Sequence, residues 1–184
     1  FLDLAAYYRS KFQFRMVAVT GSAGKTTTKE MIAQVLSAQY ETMKTQGNLN
    51  NRVGLPKTLL TLDETVQAAV IEMGMNHFGE ISDLTRCAKP DAAVITNIGE
   101  AHIEYLGSRE GILKAKMEII EGMKPGSPLI LNGDDDLLAG LECPQMKKIY
   151  YGIDSESCEV RGKEIHEENG RTTFTVVSEG QEYP

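Results

Sequence analysis

The stretch MVAVTGSAGKTTTKEM, residues 16–31, decides the fold of this chain. It begins with a short valine-rich apolar run, Met16–Thr20, which is typical of a buried parallel strand. A glycine-bearing turn, GSAGK, follows at once. Apolar residues then recur at the spacing of one helix face, namely Met31, Ile32, Val35 and Leu36. Strand, turn and helix in this order predict the first unit of an α/β domain.

The same alternation continues along the chain. Apolar strand-like runs are expected within residues 66–73, 91–99, 128–132 and 147–152. Helical patterns separate them within residues 77–89, 108–123 and 134–141, and residues 2–12 read as one or two helical turns. We therefore expect an α/β fold: a mostly parallel, doubly wound sheet with helices on both faces.

The C-terminal part has a different pattern. From Cys158 onward apolar and polar residues alternate with period two around Asn169-Gly170, which is a strong hairpin signal. A small antiparallel unit is expected there. The predicted division is residues 1–15 as a linker or the end of an upstream domain, 16–154 as the core and 155–184 as the antiparallel extension.

Composition limits the class of protein. The chain has 184 residues, 41% hydrophobic and 24% charged, as in a soluble globular domain. The net charge of −7 argues against nonspecific nucleic-acid binding, and no apolar run approaches the length of a membrane span. Three scattered cysteines favour a reducing compartment. No leader pattern appears in residues 1–12, so we expect a cytoplasmic protein.

The turn after the first strand predicts a phosphate loop. Backbone N–H groups around two glycines, together with the start of a helix, can bind an anion. A lysine would contact the β- and γ-phosphates, and a threonine hydroxyl would contact Mg²⁺. The expected phosphate contacts are Gly21, Ser22, Ala23, Gly24, Lys25, Thr26 and Thr27. Val19 stands where the strict motif has glycine, and the alternative is a tight turn without a ligand.

Five blocks carry a resemblance to a family. VAVTGSAGKTTTKEM, TQGNLNNRVGLPKTLL, IEMGMNHFGEI, TNIGEAHIEYLGSREGILKAKMEI and LILNGDDDLL resemble the Mur ligase superfamily in content, order and spacing, over roughly residues 4–140. That resemblance implies a three-domain enzyme, of which this chain is the central ATPase domain, itself cut short because a base-holding HNxxN-like segment is absent. The N- and C-terminal domains of the same enzyme would then be its partners.

The resemblance also implies a reaction. GNLNNRVGLP and EMGMNHFGEI most resemble the ligases that add D-Ala-D-Ala to UDP-N-acetylmuramoyl-tripeptide in peptidoglycan synthesis. ATP would phosphorylate the tripeptide carboxylate, and the amine would displace phosphate, with Mg²⁺ neutralising the transferring group. The chain alone is expected to be inactive as a ligase. The alternatives are another Mur-type ligase, folylpolyglutamate synthetase, a phosphate-loop kinase or GTPase, and a non-catalytic nucleotide-binding module.

Site residues follow from the same resemblance. It implies that Thr26 and Glu72 hold one metal, and that His102 and Lys116 hold a second, with Lys116 as a carbamate. Lys25, Lys116 and His102 are the expected catalytic residues. Glu72 and His102 each follow a predicted strand at its carboxyl end, where α/β domains bind ligands. Ordinary strand-end charges and a structural histidine are the alternatives.

Two lysines on one predicted helix differ in position. Lys116 lies three residues after Leu113 and four before Ile120, on the core-facing stripe. Lys114 instead has a glutamate four residues away on each side and belongs to the solvated face. A lysine on the apolar face loses solvation unless it is paired or modified. The alternative is a lysine whose ammonium reaches solvent along the protein surface.

Substrate and nucleotide contacts complete the predictions. In the family the GNLNNRVG loop and the NHFGE turn face substrate, which implies roles for Asn50, Asn51 and His77. Asn97 is expected at the nucleotide. These polar residues also favour turns for their own sake, which is the alternative. The run Asp134–Asp136 is read as helix capping rather than a metal cluster.

Overall fold

The computed structural model describes residues 1–183. The strands are β1 Arg15–Thr20, β2 Thr42–Lys44, β3 Ala68–Glu72, β4 Ala92–Ile95, β5 Pro128–Asn132, β6 Lys147–Gly152, β7 Val160–Glu168, β8 Arg171–Ser178 and β9 Gln181–Tyr183. The helices are α1 Leu2–Arg9, α2 Lys25–Leu36, α3 Gly54–Leu59, α4 Glu80–Ala88, α5 Ile103–Leu106, α6 Arg109–Met117 and α7 Asp136–Ala139. A 3-10 helix, Glu118–Gly122, extends α6.

All nine strands form one sheet in the order β2-β3-β1-β4-β5-β6-β7-β8-β9. Strands β1 to β7 pair in parallel, and β8 and β9 continue the sheet antiparallel. The predicted α/β fold with an antiparallel C-terminal unit is confirmed. That unit is joined to the core sheet because β7 pairs in parallel with β6, with Tyr151 beside Val160.

Chain connectivity places a crevice at the end of β1. From β1 the chain crosses to β2 and returns through β3 to one side of β1, and it then passes to β4 on the other side. Ligands of open α/β sheets bind where the strand order reverses in this way, at the carboxyl ends of the strands. In this chain that position is the turn between β1 and α2.

The two faces of the sheet carry different cores. The larger core lies under α1, α3, α4 and α6 and includes Met16, Ile71 and Ile95. The smaller core packs Ala33 of α2 against Val19, Val70 and Val94, with Ile32 and Leu36 at its margin. Helix α1 is docked on the larger core, where Tyr8 Oη donates to the Leu62 carbonyl at 2.9 Å.

The predicted apolar stripe of α2 is wrong for two of its four residues. Met31 and Val35 are 61% and 74% exposed, whereas Lys29 is 1% exposed. Lys29 is held inward by polar partners, because its Nζ donates to the Thr45 carbonyl at 2.8 Å and lies 3.9 Å from Glu72 Oε2. The inward face carries a lysine and an alanine instead of the large apolar residues.

Two further local predictions are confirmed, the hairpin turn and the capping of α7 by Asp135. Asn169 and Gly170 both have positive φ at the tip of the β7–β8 hairpin, as the Asn-Gly turn requires. Asp135 caps α7 by accepting hydrogen bonds from the backbone of Leu137 and Leu138, each at 3.1 Å. Within residues 1–183, no helix is both long and apolar enough to cross a membrane.

Candidate functional site

The turn between β1 and α2 has the geometry of an anion-binding loop. Gly21 and Gly24 have φ of 152° and 76°, and no side chain caps the start of α2. The N–H groups of that first turn are therefore available to a ligand. Lys25 Nζ donates to the Gly21 carbonyl at 2.9 Å, which holds the ammonium over the loop. Thr27 lies exposed on the same turn.

The end of β4 holds this loop in shape. Asn97 Oδ1 accepts from the Ala23 N–H at 2.9 Å, and Asn97 Nδ2 donates to the Ala23 carbonyl at 3.1 Å. Thr96 Oγ1 donates to the same carbonyl at 2.6 Å. The Asn97 amide is thus engaged with the loop, which makes it a support for the phosphate site. Ser22 Oγ is buried and has no hydrogen-bond partner within residues 1–183, so a phosphate oxygen could use it.

Glu72 joins the phosphate loop to the neighbouring strand. It ends β3 and is 2% exposed. Thr26 Oγ1 donates to Glu72 Oε2 at 2.9 Å, and Asn50 Nδ2 donates to Glu72 Oε1 at 2.8 Å. The structure therefore brings three of the predicted site residues into direct contact. A hydroxyl and a carboxylate side by side are hard oxygen donors, which suit Mg²⁺.

The asparagine loop divides into two roles. Asn50 points at Glu72, and its carbonyl accepts from the Gly74 N–H at 2.8 Å. Asn51 points away and caps α3, because its Oδ1 accepts from the N–H groups of Val53 and Gly54 at 3.0 and 2.9 Å. Asn51 therefore fixes the helix that follows the loop.

Lys116 lies on the buried side of α6, as its position on the core-facing stripe predicts. The side chain is 2% exposed, and neither a hydrogen bond nor an opposite charge contributes to its pKa. Burial, together with the nearby charge of Lys25, lowers the pKa of Lys116 to about 7. Lys114, two residues earlier, is exposed as predicted. A buried amine with a pKa of about 7 is neutral in about half of the molecules at pH 7, and the neutral form is a nucleophile.

The two predicted histidines lie on adjacent loops. His102 is half-buried and has φ of 69° at the start of α5, a conformation that non-glycine residues rarely adopt. His77 follows β3, and its ring contacts that of Tyr105, with 4.8 Å between centroids and a tilt of 51° between the planes. Its Nδ1 lies 4.0 Å from Glu80 Oε1. This ring contact links the loop after β3 to α5, which follows His102.

The described residues hold no group of three or more His, Cys, Asp and Glu side chains placed to bind a metal. A metal site at this edge needs ligands of other kinds, such as the Thr26 hydroxyl beside Glu72. The charge of Lys25 acts on both Glu72 and Lys116. Burial lowers its pKa, while the Glu72 charge acts to raise it.

Comparison with protein families identifies the domain that contains these residues. A family model described as the Mur ligase middle domain matches residues 19–184. The chain belongs to the Mur ligase family. The match covers the phosphate loop, Glu72 and Lys116, and it includes the C-terminal hairpin.

This Mur ligase domain is similar to several named ligases. It is 48% identical over 174 residues to the UDP-N-acetylmuramoyl-tripeptide–D-alanyl-D-alanine ligase of Bacillus subtilis, covering 95% of this chain and 37% of that protein. A MurF crystal structure from Acinetobacter baumannii matches with a TM-score of 0.90 at 35% identity, covering 99% of this chain and 40% of that one. MurF of Thermotoga maritima, in complex with ADP, matches with a TM-score of 0.90 at 32% identity, covering 99% and 42%. The chain thus spans well under half the length of these relatives.

Sequence reasoning missed one charged residue of the Mur ligase domain. Lys29 is buried beside Glu72, with 3.9 Å between its Nζ and Glu72 Oε2. A signal was available, because Lys29 follows Lys25 by four residues and so lies on the same face of α2.

Proposed function

We propose that this chain is the ATP-binding middle domain of a ligase that adds D-Ala-D-Ala to UDP-N-acetylmuramoyl-tripeptide in the cytoplasm. ATP would phosphorylate the terminal carboxylate of the tripeptide to give an acyl phosphate. The D-Ala-D-Ala amine would then form the amide and release phosphate. The names of the relatives support the substrates, and the ADP complex of the Thermotoga maritima relative supports the nucleotide.

The observation that carries the ligase reading is Lys116. A phosphate loop alone also fits a kinase, a GTPase or a passive nucleotide-binding module. Those proteins have no need of an unpaired amine buried beside the phosphate-loop lysine. Lys116 has that environment, and its pKa of about 7 leaves much of the amine neutral and able to attack CO₂. Carbamylation would turn this buried cation into a carboxylate ligand.

The site fits Mg²⁺, because Thr26 and Glu72 present adjacent oxygen donors and a carbamylated Lys116 would supply another. Bound Mg²⁺ would neutralise charge on the transferring phosphoryl group. We assign Thr26 and Glu72 to a first metal, and Lys116 with His102 to a second. Asn50 orients Glu72 through its 2.8 Å hydrogen bond.

The chain's own residues have defined tasks in this proposal. Ser22, Lys25 and the N–H groups at the start of α2 bind the phosphates. Lys25 would leave the Gly21 carbonyl and turn its ammonium to the β- and γ-phosphate oxygens. His77 lies on the loop after β3, where it can contact the peptide substrate. The UDP-sugar and the incoming amine would be bound largely by the other domains of the enzyme.

Nucleotide binding is tested on this chain directly. We expect Lys25→Ala to weaken ATP binding at least tenfold in a calorimetric titration with Mg²⁺. Lys147→Ala is the matched control, since Lys147 is exposed and lies at the start of β6. Equal affinity of Lys25→Ala and the wild type would refute the phosphate-loop assignment. The chain by itself is expected to form no amide product.

The ligase reading is tested on the complete enzyme that carries this domain. Phosphate release is measured with UDP-tripeptide, D-Ala-D-Ala and ATP. Lys116→Ala should lose most activity, and acetate should restore part of it by replacing the missing carboxylate. Lys114→Ala, on the exposed side of the same helix, should retain activity. Normal turnover by Lys116→Ala would contradict the assignment, and loss without rescue would make Lys116 a cation rather than a carbamate.

A further inference from the structure

Lys29 is a buried charge that the phosphate-loop motif does not require. It lies one helical turn after Lys25, on the inward face of α2, and is 1% exposed. Burying an ammonium costs several kcal/mol unless it is paired and hydrogen-bonded. The ammonium is therefore held here by specific partners, and those partners indicate its role.

One of the two closest partners of Lys29 also contacts Glu72. Lys29 Nζ donates to the Thr45 carbonyl at 2.8 Å and lies 3.1 Å from Glu30 Oε1. Thr45 is fully buried, and its Oγ1 accepts from the Glu72 N–H at 2.9 Å. Thr45 thus holds the lysine through its carbonyl and the backbone of Glu72 through its hydroxyl. The ammonium is then 3.9 Å from Glu72 Oε2.

Two lysines, Lys25 and Lys29, interact electrostatically with the Glu72 carboxylate. That carboxylate is buried and acts electrostatically on Lys25, whose ammonium the proposed function needs at the phosphates. Lys29 is bound to a main-chain carbonyl in the interior and cannot reach the phosphate loop while that bond is made. Lys29 therefore stays close to Glu72 whether or not the phosphate loop holds a nucleotide.

We propose that Lys29 is a positioning residue for the metal and phosphate site. Its ammonium offsets the negative charge of the Glu72 carboxylate and keeps Glu72 Oε2 directed at Thr26. Glu72 therefore does not form an ion pair with Lys25. The metal side of the site is then assembled before the nucleotide arrives, and Lys25 stays free to leave the Gly21 carbonyl for the phosphates. This inference rests on the proposed function, since it takes Glu72 as a metal ligand and Lys25 as a phosphate ligand.

The test measures binding rather than activity. Mn²⁺ is the probe: its binding with ADP is followed by the electron paramagnetic resonance signal of free Mn²⁺, and the binding of metal-free ADP is followed by calorimetry. Lys29→Met removes the charge and keeps most of the side-chain volume. We expect this variant to bind both Mn²⁺·ADP and metal-free ADP about tenfold more weakly, because Glu72 then pairs with Lys25. Lys44→Met is the control, since Lys44 shares Glu30 with Lys29 and is exposed enough to leave Glu72 unaffected.

Two results would overturn the proposal. Unchanged binding by Lys29→Met would make Lys29 only a packing residue. Tighter Mn²⁺ binding by Lys29→Met would show that the Lys29 charge only repels the metal. Failure of the proposed function is distinguishable, because in that case the wild type would not bind ADP or Lys25→Ala would bind it normally.

A double variant covers the case in which Lys29→Met does not fold. Replacing a buried ion pair as a whole is tolerated better than removing one partner. We expect Lys29→Met with Glu72→Gln to fold as stably as Glu72→Gln alone, a non-additive result that signals direct coupling. If Glu72→Gln folds and the double variant does not, Lys29 is needed independently of Glu72 and the proposal fails.

Discussion

The phosphate-loop region and the C-terminal hairpin lie on one sheet, but their charged side chains differ in exposure to solvent. Among the described residues three charged side chains are buried, Lys29, Glu72 and Lys116, and each interacts with the phosphate loop or with another of these charges. In the hairpin every residue from 163 to 174 is exposed, although the segment is rich in charge. Charges in the hairpin are solvated and need no partners. Charges at the loop are desolvated, so each requires a partner, a ligand or a modification.

The largest expected effect comes from Gly21→Ala. A Cβ at Gly21 would overlap Thr96 Oγ1, and that hydroxyl already holds the Ala23 carbonyl. The loop and the end of β4 would have to separate, so we expect a loss of more than about 4 kcal/mol in unfolding free energy. ATP binding should be lost with it. Denaturant unfolding and calorimetry provide the measurements, and a loss below about 1 kcal/mol with normal binding would contradict the geometry.

Removing the buried amine of Lys116 should have the next largest effect, and it should depend on pH. The folded pKa of about 7 lies below the ordinary value of 10.5. Below pH 7 both states hold the proton and the burial cost is fully present. Between pH 7 and 10.5 the unfolded chain holds more protons, so wild-type stability rises by about 1.4 kcal/mol per pH unit from this group.

Lys116→Met lacks this contribution to the stability curve. We expect it to be more stable than the wild type at pH 7 by a few kcal/mol, with the difference shrinking towards pH 10. Lys163→Met, in the exposed hairpin, should follow the wild type throughout. The comparison is made by denaturant unfolding in buffer free of CO₂. A difference that stays constant with pH would mean that Lys116 is charged in the folded protein.

Most of the fold was predictable from sequence because its signals are local. The valine-rich strand before the phosphate loop, the Asn169-Gly170 turn and the core-facing position of Lys116 all appear where their patterns indicate. The rotation of α2 was not predictable from periodicity. Met31 and Val35 are apolar, yet Lys29 turns inward instead, because its ammonium has the Thr45 carbonyl and Glu72 as partners there.

Site chemistry was predictable only in part. The resemblance implied that Thr26 and Glu72 hold one metal, and in the structure Thr26 Oγ1 lies 2.9 Å from Glu72 Oε2. The same sequence pattern could not separate Asn50, which contacts Glu72, from its neighbour Asn51, which caps α3. Capping and ligand binding use the same residue types, so the direction of a side chain decides between them.

A smaller effect is expected at Asn51. Asn51→Ala removes the cap of α3 and should cost about 1 to 2 kcal/mol in unfolding free energy. Asn51→Asp should restore stability, because aspartate caps helices as well as asparagine does. In the full-length protein, the proposed ligase turnover should follow stability across both variants. Full stability with lost turnover in Asn51→Asp would show that the amide contacts substrate.

The smallest effect is expected at Gly170→Ala, the hairpin counterpart of Gly21→Ala. Gly170 has φ of 72°, and a Cβ there would meet nothing within 4 Å. The only cost is the left-handed conformation, about 1 to 2 kcal/mol at the turn itself. The exposed tip can open locally without unfolding the sheet, so global unfolding should lose less than about 1 kcal/mol. Hydrogen exchange should accelerate only near the turn, and ATP binding should stay at the wild-type value. A loss of ATP binding in Gly170→Ala would mean that the hairpin and the phosphate loop are coupled, and the contrast between the two regions would then fail.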